Sequence, residues 1–441
     1  MVNPLFMRAV DKYAGQPLCG VLSLIRIIGD FFQSGAVPIT KPRRILFIKF
    51  TEQGSLVLAY PALRKAVRLV GRQQVFIFAS RDCRELLELL DCIPPENIID
   101  FDMRTIPAII HSFLNGIVLS RARGIDTVID LELFTRASAI FTYLCGAKIR
   151  AGIHRFHDET PYRGDLFTHR LLFNPHLHMK NFFIHLVAAV THAVEGSHPL
   201  QFSEPKDDLE IPAWVPTEHA KREFINRLEK NYGLRRDSPI VIFNPKLTDL
   251  LPLRRWPSQK YVQLGRMIRA AYPHATILIT GVTEEKDMSV NLARQIGGAF
   301  SLAGETTLAE LLLLFHLSDL LITSDSGPAH FASLTPIKTL VLFGPETARR
   351  FGPTGKNQQS ISADIICSPC LTAFNHRHSG CTNARCMKKI RVADVFAAAQ
   401  NMLGVKAAAG SLPRSLLENG AAARFDSSTT TNNAHAIRPG L

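Results

Sequence analysis

The chain is predicted to form two open α/β domains, each a parallel β-sheet flanked by helices, and three observations predict it. Short apolar runs alternate with helix-length segments along most of the chain, the rhythm of βαβ units. The runs are apolar throughout rather than at every second residue, as strands buried on both faces must be. The rhythm also occurs twice, separated by a stretch rich in proline and acidic residues, HPLQFSEPKDDLEIPAWVP at 198–216.

In the first series, ILFIKF (45–50), QVFIFAS (74–80) and DTVIDLEL (126–133) read as strands. Helices are expected over residues 55–70, RELLELLDCI (84–93) and SAIFTYLCGA. In the second, PIVIFNP (239–245), ATILITG (275–281), DLLIT (319–323) and KTLVLFG (338–344) read as strands, with helices over QKYVQLGRMIRAAY and TLAELLLLFHLS. The expected organisation is a helical preface over 1–40, a first domain over 41–200, a linker over 201–218, and a second domain over 219–404. Residues 405–441 lack apolar periodicity and read as a disordered tail.

Of 441 residues, 46% are hydrophobic and 20% charged, which suits a globular protein with a real core. The net charge of +13 suits an anionic partner: a nucleotide sugar, an anionic membrane surface, or nucleic acid. No helix-turn-helix or RNP signature is present, so nucleic acid is set aside. The N-terminal apolar stretch has no A-x-A-like cleavage site, and the expected location is the cytoplasm. PLCGVLSLIRIIGDFF (17–32) is broken by Arg26 and Asp30 and is too short to span a bilayer. It reads either as an interfacial helix peripheral on the inner membrane or as a helix packed on the protein's own surface.

Half of the sixteen histidines fall within 150–198, beside Arg155, Arg163, Arg170 and Lys180, with no convincing metal spacing. This region reads as a solvated basic loop or as a surface for a phosphate-bearing acceptor. The most informative stretch is DLLITSDSGPAHFASL (319–334). A strand ends there and a helix is expected to start, with Pro328 at its first position and Ser326 or Gly327 as the cap. Such a start offers backbone N–H groups to an anion, Gly327 permits close approach, and His330 lies within donating reach of a phosphate oxygen. Asp325 would repel phosphate and suits a ribose or sugar hydroxyl.

SDSGPAH resembles the D-[ST]-G-x-x-H signature of the family 9 glycosyltransferases, the heptosyltransferases of lipopolysaccharide core synthesis. Further stretches resemble the same family in order: RRILFIKFTEQGSLVLAYPALRKA, LPLRRWPSQKYVQL (251–264), TGVTEEKDMSVNLA (280–293) and CSPCLTAFNHRHSGCTNARCMKKI (367–390). The resemblance implies a GT-B fold, two Rossmann-like domains facing across a cleft, with the acceptor on the first and the nucleotide-sugar donor on the second. It implies an inverting, metal-independent transfer from a donor such as ADP-heptose to a lipid-linked or polysaccharide acceptor. Carried over by position, Arg254 meets the diphosphate, Glu285 the adenosine ribose, and Asp325, Ser326, Gly327 and His330 the sugar and diphosphate.

One position departs from the pattern. The turn after the first strand normally reads Gly-Asp in the family, the aspartate being its presumed base, whereas here it reads Gly54-Ser55. Serine is a poor base, and an inverting transfer wants a carboxylate beside the incoming hydroxyl. Glu52 is the carboxylate in the same turn and is expected to take the role, with Ser55 beside it as a second candidate or a helix cap. The other reading is a non-catalytic nucleotide-sugar-binding protein of a glycan assembly complex that has lost its base.

Cys367 and Cys370 form C-x2-C, and Cys381 and Cys386 form C-x4-C. Four thiolates at this spacing fit a structural zinc, with His376 and His378 as substitutes; packed or redox-active thiols are the other reading. No cofactor is expected for catalysis.

Overall fold

The structure, a computed structural model, describes residues 2, 4–32, 41–50, 52–158, 160–192, 210–234, 238–247, 252–372 and 379–404. The tail 405–441, most of the proline-rich linker, and His376 and His378 lie outside the described residues.

The first sheet contains β1 (Ile45–Lys49), β2 (Val75–Ser80), β3 (Ile98–Phe101), β4 (Thr127–Asp130), β5 (Ile149–Ile153) and β6 (His169–Leu171). They are all parallel, in the order β3-β2-β1-β4-β5-β6. The second contains β7 (Ile240–Asn244), β8 (Thr276–Ile279), β9 (Ala299–Ser301), β10 (Leu320–Ser324), β11 (Lys338–Phe343) and β12 (Gln358–Ser362). These are again all parallel, in the order β12-β11-β10-β7-β8-β9. In each sheet the order reverses beside the first strand of its series, β1 or β7. The crevice at such a switch point, outside the strands' carboxyl ends, is where open α/β sheets bind ligands.

Fifteen α-helices complete the described fold. The preface forms α1 (Pro4–Tyr13) and α2 (Gly15–Phe32). The first domain adds α3 (Gln53–Val70), α4 (Arg84–Leu90), α5 (Ile106–Ala122), α6 (Arg136–Leu144) and α7 (Met179–Ala189). The second adds α8 (Glu218–Tyr232), α9 (Ser258–Ala271), α10 (Lys286–Ile296), α11 (Leu308–Leu317), α12 (Gly327–Phe331), α13 (Ala348–Phe351), α14 (Arg385–Lys389) and α15 (Val392–Leu403).

The apolar runs become the sheet cores. Every residue of β1, β2, β4, β7, β8 and β10 is buried, which explains why these strands read as continuous apolar segments. One face of the first sheet packs on α5 and α6 through Phe50, Phe78, Phe101, Phe113 and Phe141. The other face joins α3 and α7 to a cluster that continues into the second domain through Leu312, Leu313, Phe315 and Phe331. The two domains therefore share apolar core as well as polar contacts. The Ala309 N–H donates to Glu85 (3.2 Å), Arg350 donates to the Pro175 carbonyl (2.6 Å), and His178 Nε2 bonds to the Gly352 carbonyl (2.9 Å).

The histidine-rich region differs from the expected solvated loop: it supplies β6 and α7. His169 is a buried strand residue whose ring bonds to the Thr168 hydroxyl and the His192 carbonyl. His178 caps α7 by accepting from the Lys180 N–H. Hydrophobic neighbours such as Phe182, Phe183 and Leu186 outvote the histidines locally and draw the segment into the core.

Candidate active site

The two expected turns meet at the switch points. β1 leads through Glu52 into α3, and β10 leads through Asp325 and Ser326 into α12. Gly54 lies directly against the second turn. A Cβ there would stand 2.8 Å from His330 Cδ2 and 3.0 Å from Gly327 Cα, so only glycine allows the approach. The helix α12 starts at Gly327 with Ser326 as its cap residue, which puts Pro328 one position further in than expected.

The backbone donors of this turn are few. Pro328 has no N–H, the Asp325 amide donates to the Leu342 carbonyl (3.2 Å), and the Ala329 amide donates to the Ser326 carbonyl (3.2 Å). Among the described residues, the Ser326 and Gly327 amides are left as the candidates for an anion. The Ser326 hydroxyl is turned to Thr323 Oγ1 (3.1 Å) instead of capping α12. Thr323 in turn donates to the Asn244 carbonyl (3.1 Å), and the Asn244 side chain donates to Thr280 (3.1 Å). This buried chain of polar groups ties together the ends of β7, β8 and β10, the platform under the turn.

Charge converges on the platform. Arg254 Nη1 pairs with Asp325 (2.9 Å), and its Nη2 lies 3.5 Å from Glu346. Arg254 Nε is buried without a hydrogen-bond partner among the described residues, a donor whose desolvation is uncompensated until a ligand accepts from it. His330 is buried, and that burial pushes its pKa down to about 4 against the pull of Asp325, so its ring is neutral near pH 7. Its Nδ1 has no hydrogen-bond partner among the described residues.

Two site residues were not visible in the sequence reading. Lys246, just after β7, has a left-handed backbone (φ 53°) and lies close to Glu285, Arg254 and Asp325. Burial lowers its pKa, and an arriving anion would favour the ammonium again. Glu132 follows β4; it accepts from Lys49 Nζ (2.9 Å) and from the Phe50 N–H (2.8 Å). Burial alone would favour a neutral Lys49 amine, but Glu132 beside it, with Glu52 further off, holds the pKa above its ordinary value. A lysine following Asn-Pro at a central strand's carboxyl end was the signal available for Lys246.

Glu285, expected at a ribose, is buried with its carboxylate on backbone amides: Leu247 N–H at 2.7 Å and Val282 N–H at 3.3 Å. It anchors the loop that carries Lys246. Gly281 makes room for it, since a Cβ there would lie 2.5 Å from Glu285 Oε2.

At the first-domain turn, Glu52 is exposed and has a left-handed backbone (φ 65°), unusual for a residue with a Cβ. Its charge acts on both Lys49 and His330. The nearby buried carboxylates are neutralised, Glu132 by Lys49 and Asp130 by Arg163. Ser55 does not cap α3; its hydroxyl donates to the Glu52 carbonyl (2.7 Å) and closes the turn.

The cysteine segment lies apart from this centre. Cys386 is buried, Cys370 is half-buried, and Cys367 and Cys381 are exposed. Hydrogen bonds from the backbone at Asn383 and Ala384 lower the Cys381 pKa, and burial raises that of Cys386. Among the described residues, no group of three or more His, Cys, Asp or Glu is placed to hold a metal ion.

Two Rossmann-like domains with switch-point turns meeting across a cleft, one of them lined by cations and spare N–H donors, define a GT-B glycosyltransferase scaffold. The profile of glycosyltransferase family 9 (heptosyltransferase) matches residues 121–378, and the chain belongs to that family. It is 25% identical over 189 residues to lipooligosaccharide heptosyltransferase 2 of Campylobacter jejuni, covering 40% of this chain and 57% of the relative. It is 28% identical over 165 residues to lipooligosaccharide heptosyltransferase 2 of Haemophilus influenzae, covering 36% of this chain and 46% of the relative. The alignments thus span about half the length of these relatives. Among solved structures, E. coli ADP-heptose LPS heptosyltransferase II superposes with a TM-score of 0.61 at 18% identity, covering 82% of this chain and 98% of that one. E. coli heptosyltransferase WaaC with ADP gives a TM-score of 0.58 at 15% identity, covering 81% and 99%. These likenesses establish the shared fold.

Proposed function

We propose that the chain transfers a heptose from ADP-heptose to a lipopolysaccharide-type acceptor, with inversion and without a metal requirement. The observation that carries this reading is the ion pair of Arg254 with Asp325 (2.9 Å) at the switch point of the second sheet, with Lys246 in electrostatic reach of both. Charge builds on the departing diphosphate as the glycosidic bond breaks. On this reading Arg254, Lys246 and the Ser326 and Gly327 amides stabilise it, and neutral His330 donates one ring N–H. Asp325 and the orienting Glu285 suit sugar and ribose hydroxyls.

Glu52 takes the proton from the acceptor hydroxyl. The oxygen then bonds to the anomeric carbon from the face opposite the diphosphate, and ADP leaves with the bonding pair. Support for Glu52 is its exposure at the turn that meets the second domain, where its charge acts on His330.

One observation favours the non-catalytic reading: Ser55 occupies the family's aspartate position and its hydroxyl is engaged in closing the turn. A panel of ADP-, UDP- and GDP-sugars, scored for transfer and for hydrolysis, separates the two. Transfer from ADP-heptose alone is expected. Tight donor binding with neither transfer nor hydrolysis would establish the binding protein instead, and preference for a UDP- or GDP-sugar would overturn ADP-heptose as donor.

A further inference from the structure

We propose that α2 and α5 together form a docking face for an anionic lipid bilayer. α2 is fixed to the first domain along one side only. Cys19 is buried against α6 and Ser23 against the Gly164–Asp165 segment, where its Oγ accepts from the Asp165 N–H (2.7 Å), and Arg26 is ion-paired with Asp165. Its opposite side is bare: Val21, Leu24, Ile25, Ile28, Phe31 and Phe32 are all exposed, the two phenylalanines by 81% and 78%. α5 shows a second bare row at helical spacing, Ile106, Ile110, Leu114 and Val118, each 48–62% exposed. Phe113 of α5 and Leu22 of α2 pack into one cluster over α6, which puts the two rows on the same flank of the domain.

Apolar rows of this extent on two neighbouring helices are more than a monomer ordinarily leaves to water. Their charge pattern selects the occupant. α5 contains no acidic residue, and its last turn carries Arg121. The acids of the preface are neutralised within the protein, Asp11 by Arg136 and Asp30 by Arg26, while Arg8 and Lys12 are exposed. The rows are thus apolar with a cationic margin, on a chain of net charge +13. That combination fits acyl chains under an anionic headgroup layer, whereas a second copy would have to bring cation against cation. Phe6–Phe32 is long and apolar enough to cross a membrane by length and composition. The Arg26–Asp165 and Asp11–Arg136 ties instead lay it along the domain, the posture of an interfacial helix.

The test is flotation of the full chain with phosphatidylethanolamine–phosphatidylglycerol vesicles at about a 3:1 ratio, against neutral phosphatidylcholine vesicles. The pairs Ile25→Glu with Ile28→Glu, and Leu114→Glu with Val118→Glu, alter exposed positions only, and thermal melts verify their folding. Wild type is expected to float with the anionic vesicles, and each pair to reduce that binding by about tenfold or more. No flotation of wild type, equal binding to neutral vesicles, or unchanged binding of either pair would overturn the proposal. So would a dimer, seen by sedimentation in the absence of lipid, that these substitutions dissociate.

Discussion

Gly54 of the first domain and His330 of the second are in direct contact, with no room for a methyl group between them: a Cβ on Gly54 would fall 2.8 Å from the His330 ring. The first-domain turn therefore sets the position of the second-domain turn. Gly54→Ala is expected to push Gly327 and His330 off their positions and to lower kcat/KM by about 10²-fold, the cost of an ångström-scale misplacement. Overpacking is expected to cost about 1–3 kcal/mol in stability as well. Steady-state kinetics beside a denaturant titration reads both, and unchanged kinetics would show that the contact is dispensable.

The base assignment turns on Glu52. Glu52→Gln keeps the size of the side chain and removes its basicity, and turnover is expected to fall by about 10²-fold or more with donor binding retained. Adding Ser55→Asp to that variant puts a carboxylate at the family's usual position and is expected to recover part of the loss. A Glu52→Gln enzyme with wild-type turnover would take the residue out of the chemistry.

Lys246 is expected to act on the leaving diphosphate. Lys246→Met removes the charge, and kcat is expected to fall by about 10²–10³-fold, as when a charge-stabilising donor is lost from other active sites. ADP affinity is expected to weaken as well, because the ammonium meets the product's phosphates. Binding of free ADP by calorimetry and single-turnover transfer separate the two effects. A change in neither would leave Lys246 as a mere neighbour of Glu285.

What the sequence disclosed follows from range. β1, β7 and β10 were legible because their burial is written locally, one apolar residue after another. The Asp325–His330 turn was legible because a strand end, a glycine and a proline occur together. β6 was not: three residues, His169–Leu171, form no apolar run, and only pairing with β5 makes them a strand. Lys246 and Glu132 escaped for a related reason. The partners that give them meaning, Glu285 for one and Lys49 for the other, are far away in the chain and brought near only by folding. Ser55 read as a cap because serines at helix starts usually are; here the left-handed backbone at Glu52 turns the hydroxyl back onto a carbonyl.

His169 and His330 should make the fold acid-sensitive well above the pH where carboxylates protonate. Burial lowers each pKa from 6.5 to about 4 in the native state. Above pH 6.5 both rings are neutral whether the chain is folded or not, and neither contributes to the pH dependence. As pH falls below 6.5 the unfolded chain takes up protons that the folded chain refuses until about pH 4, so stability must decline across that window. At pH 5 the loss is expected to reach about 2 kcal/mol for each histidine. Chemical denaturation of wild type and His169→Gln at pH 7 and pH 5 measures it. The variant is less stable at pH 7, having lost the bonds to Thr168 and His192. Its further loss on acidification is expected to be smaller than wild type's by the share of one histidine. If both proteins lose the same amount between the two pH values, His169 is not held neutral by its burial, and the parallel argument for a neutral His330 facing the diphosphate fails with it.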